Sequence, residues 1–357
     1  MTAVQAVLRP AREADAGAVW ALLEPSADEV IGLSSLPADA AAASRICGQT
    51  AETVADLATG SFHLTAGGHR RLLFVVDAGE DLPLGVTGVT FKRDVPNLAV
   101  QVATSADGLG LIMASRSAPW TRTELDSTFL GPAARGRHLG TLLSRGRFMF
   151  LHLVASQIPS TIASHLRGRF DDDGSAPFWR CFGAHFAPDW ARSTEAERAL
   201  TGDPARLERL AGHRLPLTAE VLESLGPVNV ASLPAFHLLR AEGLSPNGMY
   251  DPIDGGPTLV ADIADTVTGR LRLHGRARLA DEPGGPGGEG AIDALVSVAG
   301  VDRFRVTRAG IAVDDGTIHI GRAVAAALRA EADDLLAATP LGTEHEEPGA
   351  AVEEVGR

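Results

Sequence analysis

The chain has 357 residues, 45% of them hydrophobic, which is enough for a sizeable core and long for one domain. A net charge of −13 argues against general nucleic-acid binding, and the two cysteines, Cys47 and Cys181, have neither disulfide-framework nor metal-site spacing. No apolar run reaches the length of a membrane span, and MTAVQAVLRP lacks a signal-peptide core, so a reduced, cytoplasmic setting is expected.

Val7-Leu8-Arg9-Pro10 reads as a first strand, and Ala11 to Asp15 opens a helix through Val19, Leu22 and Leu23. Gly32 to Asp39 is a turn-rich loop before a second helix; Ser34 or Ser35 is read as its cap, with Asp39 in the first turn. A binding role for Ser35 is the alternative. The apolar runs Arg71 to Asp77 and Leu84 to Phe91 suit buried strands paired as a central hairpin. Leu109 to Met113 makes a further strand, and Leu125 to Leu130 another, ended by Gly131-Pro132.

Leu139, Leu142, Leu143, Phe148, Met149, Leu151 and Val154 then recur at helical spacing, so a long helix begins near His138. Between strand and helix lies Ala133-Ala134-Arg135-Gly136-Arg137. A strand, a basic glycine loop and a helix N-terminus together form an anion site, because the first amides are unpaired, the dipole is positive and arginines pair with phosphate. This loop is similar to the pyrophosphate-binding loop of the GNAT-type acetyltransferase superfamily, Arg/Gln-x-x-Gly-x-Gly/Ala. Arg135 and Gly140 fit it, and His138 stands at the first glycine, where a Cβ limits backbone approach.

After the helix, Thr161 to Leu166 reads as a strand closed by Arg167-Gly168, and Asp171 to Gly174 as a solvated acidic turn without calcium-loop ligands, so no metal is expected. Pro177 to Gly183 suits a short helix. Beyond Trp190 the character changes. Ser193 to Leu210 is charged and helical, and helices are expected through Val221 to Leu225 and Pro234 to Glu242. The remainder turns β-like at Thr258 to Ala261, Leu271 to Leu273, Leu295 to Val298 and Phe304 to Val306, with a glycine/proline loop from Glu282 to Gly290. Three units are expected: a part over 1–192, GNAT-like and acyl-CoA-binding as the resemblance of its loop implies, a helical connection with a small β-rich domain over 193–340, and a disordered acidic tail over 341–357.

At Pro177-Phe178-Trp179, with Leu166-Arg167-Gly168 and Asp171 to Gly174 before it, the chain resembles the arginine N-succinyltransferase family. The same family pattern is carried by Gly32 to Pro37, Thr128 to Pro132, Leu142 to Phe148, Glu242-Gly243-Leu244, Tyr250-Asp251 and Asp254 to Thr258, in order along nearly the whole chain. The resemblance implies an α/β (α+β) GNAT-type acyl-CoA N-acyltransferase fold with an added helical and β-rich C-terminal part.

It also implies an acyltransferase that moves an acyl group, succinyl by resemblance, from acyl-CoA to the amine of arginine or a related metabolite. The co-substrate would contact Thr128, Phe129, Leu130, Arg135, Gly136, Arg137, His138, Leu139 and Gly140. A backbone N–H near Thr128 would hold the developing oxyanion. Ser35, Arg167 and Asp171 are the expected substrate contacts, and Arg145, Arg147 or Arg167 could meet a succinyl carboxylate. The family's proton-donor histidine falls on Asn229, whose amide cannot donate a proton in acid–base catalysis. Trp179, on the short helix where superfamily members place an acidic tyrosine, has none to give either. His165 is the best substitute, with local packing on its strand as the alternative. Glu124 could take the amine proton, with a solvated strand end as its alternative. The partners implied are a small-molecule amine and acyl-CoA, with no nucleic acid, no membrane, and assembly as a homo- or hetero-oligomer. A second reading keeps the CoA site but not the turnover: a degenerate homologue that serves as a partner subunit.

Overall fold

The computed structural model of the chain describes residues 5–26, 35–104, 110–137, 139–185, 211–280 and 291–342. Its first elements are β1 (Val7–Pro10), α1 (Ala16–Leu23) and α2 (Ala40–Thr59), followed by β2 (His69–Asp77), β3 (Gly85–Val95), β4 (Leu98–Thr104), β5 (Gly110–Arg116) and β6 (Trp120–Leu130). Then come α3 (Leu139–Leu153), β7 (Thr161–His165), α4 (Pro177–Cys181), β8 (Arg214–Pro216), α5 (Ala219–Ser224), α6 (Leu233–Ala241), β9 (Ser245–Tyr250) and β10 (Pro257–Asp262). The chain continues through α7 (Val267–Arg270), β11 (Leu273–Ala280), β12 (Ile292–Val298), β13 (Val306–Asp314), β14 (Thr317–Gly321), α8 (Arg322–Leu328) and β15 (Leu335–Pro340).

Leu72 to Val76 are all buried, as a continuous apolar run requires when a strand is covered on both faces. Leu73 and Val75 pack with Val86 and Phe129 against α1 and α2, through Val19, Leu23, Ala43 and Ile46. On the opposite face Leu72, Phe74 and Val76 meet α3. There the rings of Phe74, Phe150 and Phe304 pack edge to face, with Phe150 5.3 Å from Phe74 and 5.1 Å from Phe304. α3 comes close to the sheet because residue 146 is glycine: a Cβ there would lie 2.5 Å from Leu8 Cδ2.

Strand order is β12-β15-β11-β14-β13-β1-β2-β3-β6-β7-β10-β9-β4-β5-β8, and β12 also pairs with β13. That extra pairing closes β11 to β15 into a five-stranded barrel around Val296, Ile311, Ile318 and Leu336. β13 of the barrel joins β1, and β10 joins β7, so strands from beyond residue 193 flank the N-terminal sheet on both sides. The boundary expected at 192, the helix expected over Ser193 to Leu210, the loop from Glu282 to Gly290 and the tail from Thr343 onward lie outside the described residues. Asp39, read from sequence as a first-turn residue, is itself the cap of α2: its Oδ1 accepts from Ala42 N at 2.6 Å. β4, β8, β9, β14 and β15 are not among the strands expected from the sequence.

A backbone contact fixes how β10 meets β7. A Cβ on Gly168 would lie 2.0 Å from Asp254 O, and one on Gly256 2.0 Å from Leu166 O. Neither backbone can retreat, because Leu166 N donates to Pro257 O and Asp251 N to Gly256 O. Gly168→Ala and Gly256→Ala are each expected to destabilise the fold by about 1–3 kcal/mol or more. Gly48→Ala, on α2 with nothing within 4 Å of the new methyl, is expected to stabilise by roughly 0.5–1 kcal/mol. Denaturant melts of the three variants check both signs.

Candidate active site

β6 and β7 run parallel but pair only at Thr123 with Ile162 and Glu124 with Ala163. Beyond a weak contact from Ser164 Oγ to Leu125 O at 3.4 Å the two strands diverge, while β6 stays bonded to β3 as far as Leu130. The sheet therefore opens into a notch, and a cavity of about 230 Å³ fills it. Its walls come from β6 (Glu124 to Thr128), β7 and its exit (Ser164 to Arg167), Arg147 of α3, α6, and the turn around Asp251 and Asp254. The splayed strand pair leads through the basic loop into α3.

Glu124 is the electrostatic hub of the notch. Its Oε2 lies 2.7 Å from Lys92 Nζ, 3.1 Å from Arg122 Nε and 3.6 Å from His165 Nε2. Burial works to raise its pKa, but the bond and charge of His165 with Lys92 and Arg122 outweigh it and hold the carboxyl well below the usual range. A carboxylate so stabilised is a weak base and a strong orienting group. His165 Nδ1 lies 2.9 Å from Thr258 Oγ1, so β10 fixes the other side of the ring. Asp251 also faces the cavity; burial raises its carboxyl pKa against backbone donation from Ile253 and Asp254 and the charge of His165.

β6 carries a bulge at Ser127, where φ is 54° and the register against β3 slips between Val86 and Gly88. A Cβ on Gly88 would lie 2.2 Å from Asp126 Oδ1, so only glycine fits opposite the bulge. Ser35 meets the bulge: its Oγ accepts from Ser127 N at 3.1 Å, and its carbonyl accepts from Ser127 Oγ at 2.7 Å and from Arg71. Arg71 also donates to Ser127 Oγ at 2.6 Å. Arg147, buried in α3, donates to Gly88 O at 3.2 Å; burial pulls its pKa down to about 10 against the charge of Asp126.

The basic loop lies at the end of β6. Thr128 is exposed, Phe129 buried and Leu130 half-buried. Gly136 takes φ 77°, a left-handed turn suited to glycine, between the exposed Arg135 and Arg137. Arg137 reaches Glu80 at 3.7 Å in an exposed pair. Leu139 and Gly140 open α3, whose first amides have no acceptor within the helix. A Cβ on Gly140 would meet Leu238 of α6 at an ordinary 3.5 Å. His138 lies outside the described residues.

The remaining expected residues divide. Arg167 lines the cavity and stacks on Phe170, 5.0 Å from the ring centroid. Asn229 is not part of the cavity wall: its N–H donates to Arg167 O at 2.9 Å, and its Oδ1 caps the next turn at Ala231 N, 3.0 Å away. Asp171 is outside the cavity wall, in a turn where it pairs with Arg180 at 2.7 Å and Arg169 at 3.5 Å. Arg145 pairs with the fully buried Glu242 at 3.2 Å rather than lining the cavity. Sequence reading missed Lys92, Arg122 and Asp126 as neighbours of the site. A strand alternation hides them, because which face is inside depends on the bulge. Among the described residues no three His, Cys, Asp or Glu side chains are placed to hold a metal, and no helix is long and apolar enough to cross a membrane.

Residues 111–268, which supply much of the notch, match the family model of the arginine N-succinyltransferase beta subunit. The resemblance to arginine N-succinyltransferases holds. Relatives described as arginine N-succinyltransferase include those of Escherichia coli O1:K1, 32% identical over 52% of this chain, and of Escherichia fergusonii, 30% identical over 52%. Each match covers 53% of the relative, so the chain spans about half the length of the curated relatives it matches. The solved arginine/ornithine succinyltransferase subunit AI from Pseudomonas aeruginosa superposes with a TM-score of 0.77, covering 95% of this chain and 99% of that one. At 20% identity this succinyltransferase likeness shows a shared fold, and the α/β class expected from the sequence is the one observed.

The hub gives a test. Glu124→Gln leaves Lys92 and Arg122 facing a neutral amide, so stability at neutral pH is expected to fall by roughly 3–5 kcal/mol. Because the folded pKa of Glu124 is depressed, its contribution is complete above the ordinary glutamate value and is lost as pH falls below it. Urea melts of wild type and variant at neutral pH and near pH 3 should show the gap narrowing in acid.

Proposed function

We propose that the chain transfers an acyl group, succinyl for preference, from acyl-CoA to the amine of arginine or a related amino-acid metabolite. The observation that carries this reading is the notch itself: a histidine held between a half-buried glutamate and a threonine shares one cavity with two arginines and three aspartates, beside a basic loop at a helix start. On this reading residues 1–192 hold the donor and residues 193–340 complete the acceptor side. The protein acts in the cytoplasm, where both of its free cysteines, Cys47 and Cys181, would stay reduced.

The donor's pyrophosphate sits against Arg135, Gly136, Arg137 and the first turn of α3, and its pantetheine arm follows the open edge of β6 near Thr128, Phe129 and Leu130. Arg147 and Arg167 offer cations to the distal carboxylate of a succinyl group. Asp126, Asp251 and Asp254 give the cavity the negative charge that a cationic acceptor needs. The amine nitrogen attacks the thioester carbon, a C–N bond forms and the C–S bond breaks. His165 takes the amine proton and returns it to the departing thiolate, while Glu124 stabilises the imidazolium. Asn229 positions the Arg167 backbone and carries no proton.

A thiol-release assay with succinyl-, acetyl- and malonyl-CoA against arginine and other amines tests this. Acyl-CoA binding with no thiol released for any amine would leave a partner subunit and overturn the enzyme reading. His165→Gln is expected to lower kcat by about 10²–10⁴-fold with CoA affinity unchanged. Arg135→Ala should weaken CoA by roughly 1.5–3 kcal/mol, read by calorimetry. An Asn229→His variant faster than wild type would move the acid–base role from His165 to position 229.

A further inference from the structure

A larger cavity, about 670 Å³, lies between the β1–α1 junction, α2 and the segment around residues 302–305. It shares no lining residue with the notch. Five arginines face it: Arg9, Arg12, Arg303, Arg305 and Arg329. In a chain of net charge −13 such a convergence is not a composition effect.

Two of the five are committed. Arg9 is held by Asp15 at 2.7 Å and Asp77 at 3.0 Å, and Arg303 by Asp334 at 2.8 Å. Among the described residues no carboxylate forms an ion pair with Arg12, Arg305 or Arg329, although Glu13 and Asp302 also line the space. Arg305 spends its Nε on Ala327 O at 2.7 Å, and its Nη1 is buried with no hydrogen-bond partner. Burial first, then the charges of Arg329, Arg9 and Arg12, push its pKa down to about 10 against the opposing charge of Asp77. A buried guanidinium nitrogen without an acceptor, with more positive than negative charge acting on it, is costly unless an anion completes it.

Arg329 adds a second sign. It ends α8 at φ 56°, the left-handed position where glycine is the usual residue, yet it is an exposed arginine that lines this cavity. Ala51 and Val54 of α2 and the ring of Phe304 supply an apolar wall. We propose that this cavity is a second binding site, separate from the acyl-transfer notch, for a small organic anion with clustered phosphoryl or carboxylate oxygens and an apolar body. Arg305, Arg12 and Arg329 grip the oxygens, and the wall of α2 covers the rest.

Calorimetric titration of the full chain with pyrophosphate and with citrate, in the presence of saturating CoA, tests the proposal. Saturable binding of either probe is expected, and its preference between the two separates a phosphoryl from a polycarboxylate ligand. In the double variant Arg12→Ala/Arg329→Gly, both changes exposed and outside the core, affinity should fall by about a hundredfold, two charge-assisted contacts being lost. Arg305→Gln should weaken binding as well, with a thermal melt to confirm that it folds. In Arg135→Ala without CoA the same probe affinity should persist, which separates this site from the donor loop. No saturable binding of either probe, or equal binding by wild type and the double variant, overturns the proposal.

Discussion

Backbone touching backbone at Gly168 and Gly256 is the constraint on which the site depends. The turn from Asp251 to Pro257 can lie on the exit of β7 only if neither partner carries a Cβ. Once seated, it exchanges hydrogen bonds with its surroundings at several points: Pro257 O accepts from Leu166 N, and Gly255 O accepts from Gly226 N. Asn229 N then donates to Arg167 O. Three segments far apart in sequence are thereby held together, and β10 is registered so that Thr258 faces His165.

Charge organisation follows from that registration. Glu124 is buried deeply enough to need compensation and receives it from Lys92 on β3, Arg122 on its own strand and His165 on β7. A half-buried carboxylate held by two permanent cations and an imidazole is rigid as well as ionised, since moving Lys92 or Arg122 exposes an uncompensated charge. The result is a preorganised imidazole beside a divergent strand edge, which is what acyl transfer to an amine requires of a scaffold. Arg147 contributes from the other side, where its burial in α3 ties the helix to the carbonyl of Gly88 at the bulge.

The basic loop after β6 and the arginine-lined cavity at the β1–α1 junction use arginine in opposite ways. Arg135 and Arg137 are exposed on a glycine turn, free to adapt to a ligand that arrives from solvent. Arg305 is fixed by Ala327 and crowded by other arginines, so its position is set before any ligand comes. Preorganised cations of this kind favour a small, charge-dense partner.

Much of the central layer was legible in the sequence, because β2 is apolar without interruption and α3 repeats its apolar residues at helical spacing. The glycine-bearing motifs at 166–168 and 254–258 were also legible, though not that they press against each other. Sequence could name Glu124 and His165 singly. Their pairing, with Lys92 and Arg122, rests on the bulge at Ser127 and on the parallel register of β6 with β7, which are decided between strands rather than along one. For the same reason Asp171, conspicuous in a run of three aspartates, ends in a surface turn with Arg180, while the inconspicuous Asp251 faces the cavity. Composition and periodicity act locally, and so marked the central strands, the long helix α3 and the basic loop before it. The closing of the barrel at β12 and β13, and the company each charge keeps, come from pairings over long sequence separations that only the folded sheet selects.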